Sequence, residues 1–177
     1  MEKTFLDLFK SNLKYILLLS CVFYLSSCAV AGTSSKITGQ SVPFTKFTKL
    51  DGSYIVTDEF LGKTAVVTFW ASWCGYSRPV LTRLSNFAKK LNRSDVLFIA
   101  ASVDKAHDFE KLKEVIDALK ADAHIHCFSG NDVYDEAYMA FDAGVLPHIF
   151  IINPQGKVVE EGHKDSFVYE YFERKVR

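Results

Sequence analysis

The chain's strongest chemical signal is Cys74. It sits in the stretch Thr-Phe-Trp-Ala-Ser-Trp-Cys-Gly-Tyr-Ser, residues 68–77. The run leading into it, Thr64–Trp70, is β-branched and aromatic almost throughout, the pattern of a strand covered on both faces. A helix is expected to follow, ending near Leu91. A cysteine at such a junction faces unpaired helix N–H groups and the positive end of the helix dipole, and both stabilise a thiolate. The thiolate is the form that attacks disulfides. The competing reading is a small buried apolar residue, since free cysteine is often core; Gly75 and the junction weigh against it.

The other cysteines are Cys21, Cys28 and Cys127, at spacings that match neither a zinc site nor a small disulfide scaffold. Cys127 falls at the end of a short strand, His124–Phe128. It either faces the core or opens toward the end of the sheet that carries Cys74. His124 and His126 share one face of that strand, with Cys127 on the other. No spaced cluster of metal ligands is visible, so no metal or cofactor is assigned.

Stepping along the chain gives the elements that must position these groups. Phe44–Leu50, the turn Asp51-Gly52 and Tyr54–Val56 read as a hairpin. After Thr64–Trp70 and its helix, Asp95–Ala101 is a second buried strand. Phe109, Leu112, Val115, Ile116 and Leu119 line one face of an amphipathic helix. Asn131–Asp142 reads as a helix capped by Asn131 or Asp132. Pro147–Ile152 is a buried strand, Asn153–Gly156 a turn, and Lys157–Glu161 the returning strand. A last helix starts near Asp165. The expected fold is α/β: a mixed, mostly parallel sheet flanked by helices, with an antiparallel edge from the final strand pair.

The N-terminus reads as a targeting segment. Ile16–Leu25 is apolar but short of the roughly 20 residues that span a bilayer. It fits the apolar region of a signal peptide. Leu25-Ser26-Ser27-Cys28 resembles a lipobox, which implies a lipoprotein signal over 1–27 and acylation of Cys28. The alternative is an uncleaved anchor running to Val30. Residues 28–42 read as a flexible tether and 43–177 as the folded domain. The chain is then held on a membrane by lipid and faces the periplasm, with Ala29 after the cysteine favouring the outer membrane in a Gram-negative host. The full sequence has 21 basic and 21 acidic residues, which gives no electrostatic case for nucleic acid.

Residues 69–75 (Phe-Trp-Ala-Ser-Trp-Cys-Gly) resemble the active-site entry of thioredoxin-fold oxidoreductases, whose motif reads WCGxC. Gly144-Val145-Leu146-Pro147 resembles the same family's G-V-x-P segment, and Asn153–Val158 the turn that follows it. The hairpin before the first long strand and the inserted strand–helix unit near 123–142 resemble the TlpA/ResA branch of membrane-tethered thiol-disulfide proteins. The resemblance covers residues 42–176. It implies that Pro147 is cis and lies beside Cys74, and that Trp73, Tyr76 and Leu146 line the surface that meets a partner.

The motif departs from that family's pattern at its second cysteine, which is Ser77 here. The resemblance gives Ser77 a place from which its hydroxyl can donate to the Cys74 thiolate, but no means of attacking a mixed disulfide. Thr68 and Val80 stand where relatives carry acids that handle protons. Cys127 is the remaining candidate for a resolving thiol. His148, next to the expected cis-proline, is a candidate proton donor or metal ligand to Cys74. Three functions follow. The first is a single-cysteine thiol-disulfide oxidoreductase acting on envelope proteins with cysteines or disulfides, with an external thiol as reductant. The second is a redox-inactive binding module. The third is a copper-binding chaperone using Cys74 and His148. A peroxidase of the same fold needs Thr three residues before its cysteine, where this chain has Ala71.

Overall fold

The computed structural model describes residues 37–176. The expected signal peptide and Cys28 lie outside the described residues. Seven strands follow in order: β1 (Lys46–Thr48), β2 (Tyr54–Val56), β3 (Thr64–Trp70), β4 (Val96–Ser102), β5 (Ile125–Phe128), β6 (His148–Ile152) and β7 (Val158–Gly162). The helices are α1 (Ser77–Leu91), α2 (Phe109–Leu119), α3 (Glu136–Ala140) and α4 (Ser166–Val176). The main sheet has the order β5-β4-β3-β6-β7. β3, β4 and β5 run parallel, and β6 is antiparallel to both of its neighbours. The reversal expected at the edge therefore sits one strand inside it.

Every residue of β3 is buried, which explains its unbroken apolar sequence. Alternation sends its side chains to opposite faces. Ala65, Val67 and Phe69 join Phe47 and Ile55 of the hairpin, Tyr138 of α3, Phe141 and Phe150. Phe69 is the hub: its ring lies 5.4 Å from Phe141, 5.7 Å from Tyr138 and 5.9 Å from Phe150, centroid to centroid. Val66 faces the other way, against Val80 and Leu84 of α1 and Val168 and Phe172 of α4. Trp70 packs there against Leu81, Leu112 and Ile116, where α1 meets α2.

Two segments differ from the sequence expectation. Residues 131–142 form a short 3-10 turn, Asp132–Tyr134, and then the five-residue α3. Asp132 adopts a left-handed conformation (φ 55°), which interrupts a helix there. Asp135 caps α3 instead, its side chain accepting the Tyr138 N–H at 2.8 Å. Residues 39–42, read as tether, instead pair with the start of β7 and the turn before it. Gly39 N–H donates to the Val158 carbonyl at 2.7 Å and Val42 N–H to the Gly156 carbonyl at 2.8 Å. An edge strand's unpaired backbone groups supply the reason. Pro79 does not interrupt α1, because it occupies the first turn, where N–H groups have no helical acceptor to lose.

Candidate active site

β3 and β4 end side by side, with Trp70 opposite Ser102. The Val103 N–H donates to the Trp70 carbonyl at 2.9 Å and carries the ladder one step further. The chain then turns through Ala71, Ser72 and Trp73. The Cys74 N–H closes that turn on the Ala71 carbonyl at 3.1 Å. The Cys74 carbonyl in turn accepts from the N–H groups of Ser77 (3.2 Å) and Arg78 (3.4 Å), so α1 is built directly onto this residue. The thiol is partly exposed and lies 3.9 Å from the Leu146 carbonyl oxygen. The Leu146–Pro147 peptide is cis. Two segments 72 residues apart thus meet at one sulfur atom.

The two segments that meet there carry exposed apolar side chains: Trp73, Tyr76 and Val145 are exposed by 58%, 84% and 67%. Exposed large hydrophobic side chains give a partner apolar surface to cover. Leu146 is half-buried and packs on the hairpin-side core. The Tyr138 hydroxyl donates to the Gly144 carbonyl at 2.7 Å and ties the Pro147 loop to α3.

Beneath the turn lies a fully buried carboxylate, Asp104. Its Oδ2 accepts the Ser72 N–H at 2.8 Å and the Ser102 hydroxyl at 2.5 Å, and its Oδ1 accepts the Ser72 hydroxyl at 2.6 Å. Arg78 Nε donates to the Ser72 carbonyl at 2.6 Å. Ser72, itself buried, therefore has its N–H, hydroxyl and carbonyl all engaged.

Ser77 starts α1 with its side chain facing inward. Its hydroxyl is buried and has no hydrogen-bond partner, so it does not donate to Cys74. Cys127 is buried at 3% exposure in the hairpin-side core, and burial pushes its thiol up to about 12. A thiol so buried is protonated and inert at neutral pH. His148 is buried; its ring stacks on Phe150 at 4.3 Å and lies tilted against His163 at 4.5 Å, centroid to centroid. Burial, then the neighbouring His163, brings it down to about 4, so it is neutral at physiological pH. Its Nε2 stands 3.8 Å from Glu161 Oε1, too far for a hydrogen bond. His163 Nδ1 lies 2.9 Å from the Pro147 carbonyl, an acceptor, which places the proton on Nδ1. His124 and His126 precede or open β5, away from the strand ends that carry Cys74. His126 Nε2 bonds the Ala121 carbonyl at 2.7 Å. Among the described residues, no three His, Cys, Asp or Glu side chains gather in a group able to hold a metal ion, and no helix is long and apolar enough to cross a membrane.

Sequence reasoning overlooked Ser72, Arg78, Asp104, Tyr138 and His163. For Asp104 a signal existed: an acid directly after the buried run Val96–Val103. The other four carry no pattern that marks them before the fold is known.

This geometry can be set beside known proteins. Thiol-disulfide oxidoreductase ResA of Bacillus subtilis (strain 168) is 24% identical over 155 residues, which span 85% of this chain and 81% of that protein. The thioredoxin domain of a thiol-disulfide oxidoreductase from Bacteroides vulgatus superposes with a TM-score of 0.70 at 22% identity, over 81% of this chain and all of that domain. A thiol-disulfide oxidoreductase from Bacteroides fragilis NCTC 9343 gives 0.67 at 17% identity, over 76% of this chain and 99% of the other. These likenesses establish a thioredoxin-like fold. Residues 38–161, which hold the hairpin, the Cys74 junction and the cis-proline loop, match the AhpC/TSA family, and the chain belongs to it.

Proposed function

We propose that this protein is a thiol-disulfide oxidoreductase of the ResA type that works with one cysteine. The observation that carries the reading is the position of Cys74. Cys74 is partly exposed just before α1, its sulfur lies against the cis-proline loop, and the exposed Trp73 and Tyr76 flank it in the chain. Similarity to ResA supports the same class of activity.

The exchange runs as follows. The Cys74 thiolate attacks one sulfur of a partner disulfide. A bond forms between Cys74 and that sulfur, and the other sulfur leaves as a thiolate that takes up a proton. Release requires a second thiolate from outside the domain, either an external thiol or the partner's own freed cysteine. Ser77 has no sulfur, and Cys127 is buried and protonated. Trp73, Tyr76 and the Leu146–Pro147 segment supply the surface on which the partner chain rests.

The place of action in this reading is the cell envelope. The lipobox-like Leu25-Ser26-Ser27-Cys28 supports a diacyl anchor, and several acyl chains hold a soluble domain on a membrane far better than one.

Two measurements test the proposal. Iodoacetamide should label Cys74 faster in the folded protein than in the urea-denatured chain at the same neutral pH. Non-reducing capture from envelope extracts should yield mixed disulfides with the wild type and none with Cys74→Ala. Labelling no faster than in the denatured chain, together with no mixed disulfide, would leave a binding module in which the exposed aromatic side chains alone meet the partner.

A further inference from the structure

We infer that Asp104 is a positioning residue for Cys74, acting through Ser72. The inference rests on Cys74 being the nucleophile. It adds how the fold holds that residue in place.

The turn from β3 into α1 leaves the sheet at Trp70, so its backbone has no ladder to bond to. Buried N–H and C=O groups without partners are costly, and the side chains around the turn supply them. Asp104 reaches it because β3 and β4 are parallel and in register, Trp70 against Ser102. One more rung, Val103 to Trp70, places the next residue of the β4 strand end beside Ser72. The carboxylate then accepts two donors from Ser72 and one from Ser102. Bonds to a charged acceptor are roughly twice as strong as neutral ones. A buried carboxylate is tolerable here because three donors meet it.

Ser72 is two residues before Cys74, and its carbonyl is held separately by Arg78, the second residue of α1. The result is a clamp with one jaw on β4 and the other on α1. The Ala71-to-Cys74 turn is fixed between them. The cis-proline loop arrives from elsewhere in the chain, so a shift of the turn changes the distance between Cys74 and Leu146. Misplacement by about 1 Å can cost a reacting centre up to roughly a hundredfold.

Asn keeps the shape of Asp. Its carbonyl oxygen can take the Ser72 N–H and the Ser102 hydroxyl, and its NH2 can donate to a rotated Ser72 hydroxyl. Asp104→Asn should therefore preserve position while removing charge, whereas Asp104→Ala removes both. The readouts are Cys74 alkylation by iodoacetamide and mixed-disulfide formation with oxidised glutathione. In the second, Cys74 thiolate displaces one glutathione, which leaves as a thiol after taking a proton. Both are measured at a temperature where circular dichroism shows each variant fully folded.

We expect Asp104→Ala to slow both reactions about tenfold or more, and Asp104→Asn to stay within about threefold of wild type. The double variant Ser72→Ala/Asp104→Ala should react like Asp104→Ala alone, because the two residues act as one unit. Wild-type rates for Asp104→Ala would overturn the inference and leave Cys74 as nucleophile. Asp104→Asn as slow as Asp104→Ala would also overturn it, since the effect would then lie in charge. A wild-type protein no more reactive than its denatured chain would overturn the parent reading as well. If Asp104→Ala does not fold, Ser72→Ala decides: a rate at least threefold below wild type supports the clamp, and an unchanged rate refutes it.

Discussion

Acid should unfold this protein through its buried histidines, and His124→Leu isolates one of them. His124 is 7% exposed, edge-on to Phe98 at 6.0 Å, and burial drives it down to about 3. An unfolded histidine titrates near 6.5. Between those values the unfolded chain carries one more proton than the folded one, so folding stability rises with pH. The contribution is intact above pH 6.5 and falls by about 1.4 kcal/mol per pH unit as the solution is acidified toward pH 3. From pH 7 to pH 5 that integrates to about 2 kcal/mol. The figure depends little on the folded value, because pH 5 still lies well above it. His148, brought down to about 4, adds about 2 kcal/mol over the same interval by the same reasoning. His126 shifts in the same direction, through burial. Leucine is close to histidine in size and takes no proton. Urea unfolding followed by tryptophan fluorescence at pH 7, 6 and 5 gives the slopes. The loss between pH 7 and 5 should be about 2 kcal/mol smaller in His124→Leu than in wild type. Equal slopes would mean that His124 is protonated inside the fold at pH 5, and the argument from its burial would fail.

Other perturbations test the packing and the site. Phe69→Ala, at the hub of the aromatic cluster, should cost about 3–5 kcal/mol in urea unfolding. Ser77→Ala removes a buried hydroxyl that bonds nothing and should be neutral or stabilising by about 1 kcal/mol; a loss of stability would point to a partner for that hydroxyl. Ser77→Cys should introduce a thiol able to attack the Cys74 mixed disulfide, raising turnover with oxidised glutathione and an external dithiol; no gain over wild type would mean that position 77 cannot reach the Cys74 sulfur. Tyr138→Phe frees the Gly144 carbonyl and should cost about 1 kcal/mol, read in the same unfolding assay.

The likeness to thiol-disulfide oxidoreductases makes the placement of the cysteines the informative feature. In this domain the position that would hold the second thiol carries a buried, unpaired hydroxyl. The remaining free cysteine among the described residues, Cys127, lies in the core. In the proposed function, exchange begins at Cys74 and finishes with a thiol from outside the domain.

The linear sequence was enough to locate the main strands and the junction between β3 and α1 at which Cys74 lies. Apolar runs such as Thr64–Trp70 and Pro147–Ile152 carry the pattern of strands covered on both faces, and that pattern is a local property of composition. The meeting of Cys74 with Pro147 was legible only through the resemblance of residues 69–75 and 144–147 to a known family. Residues 39–42 differ from the sequence reading because they pair with a distant segment beside β7, and 131–142 because a left-handed Asp132 and a late cap at Asp135 divide the helix. The inward turn of Ser77, the depth of Cys127 and the reach of Asp104 across 32 residues to Ser72 were decided only by the packing of the chain. Periodicity states which face a side chain takes, while hydrogen bonds and burial depend on which groups the parallel register of β3 and β4 brings opposite one another.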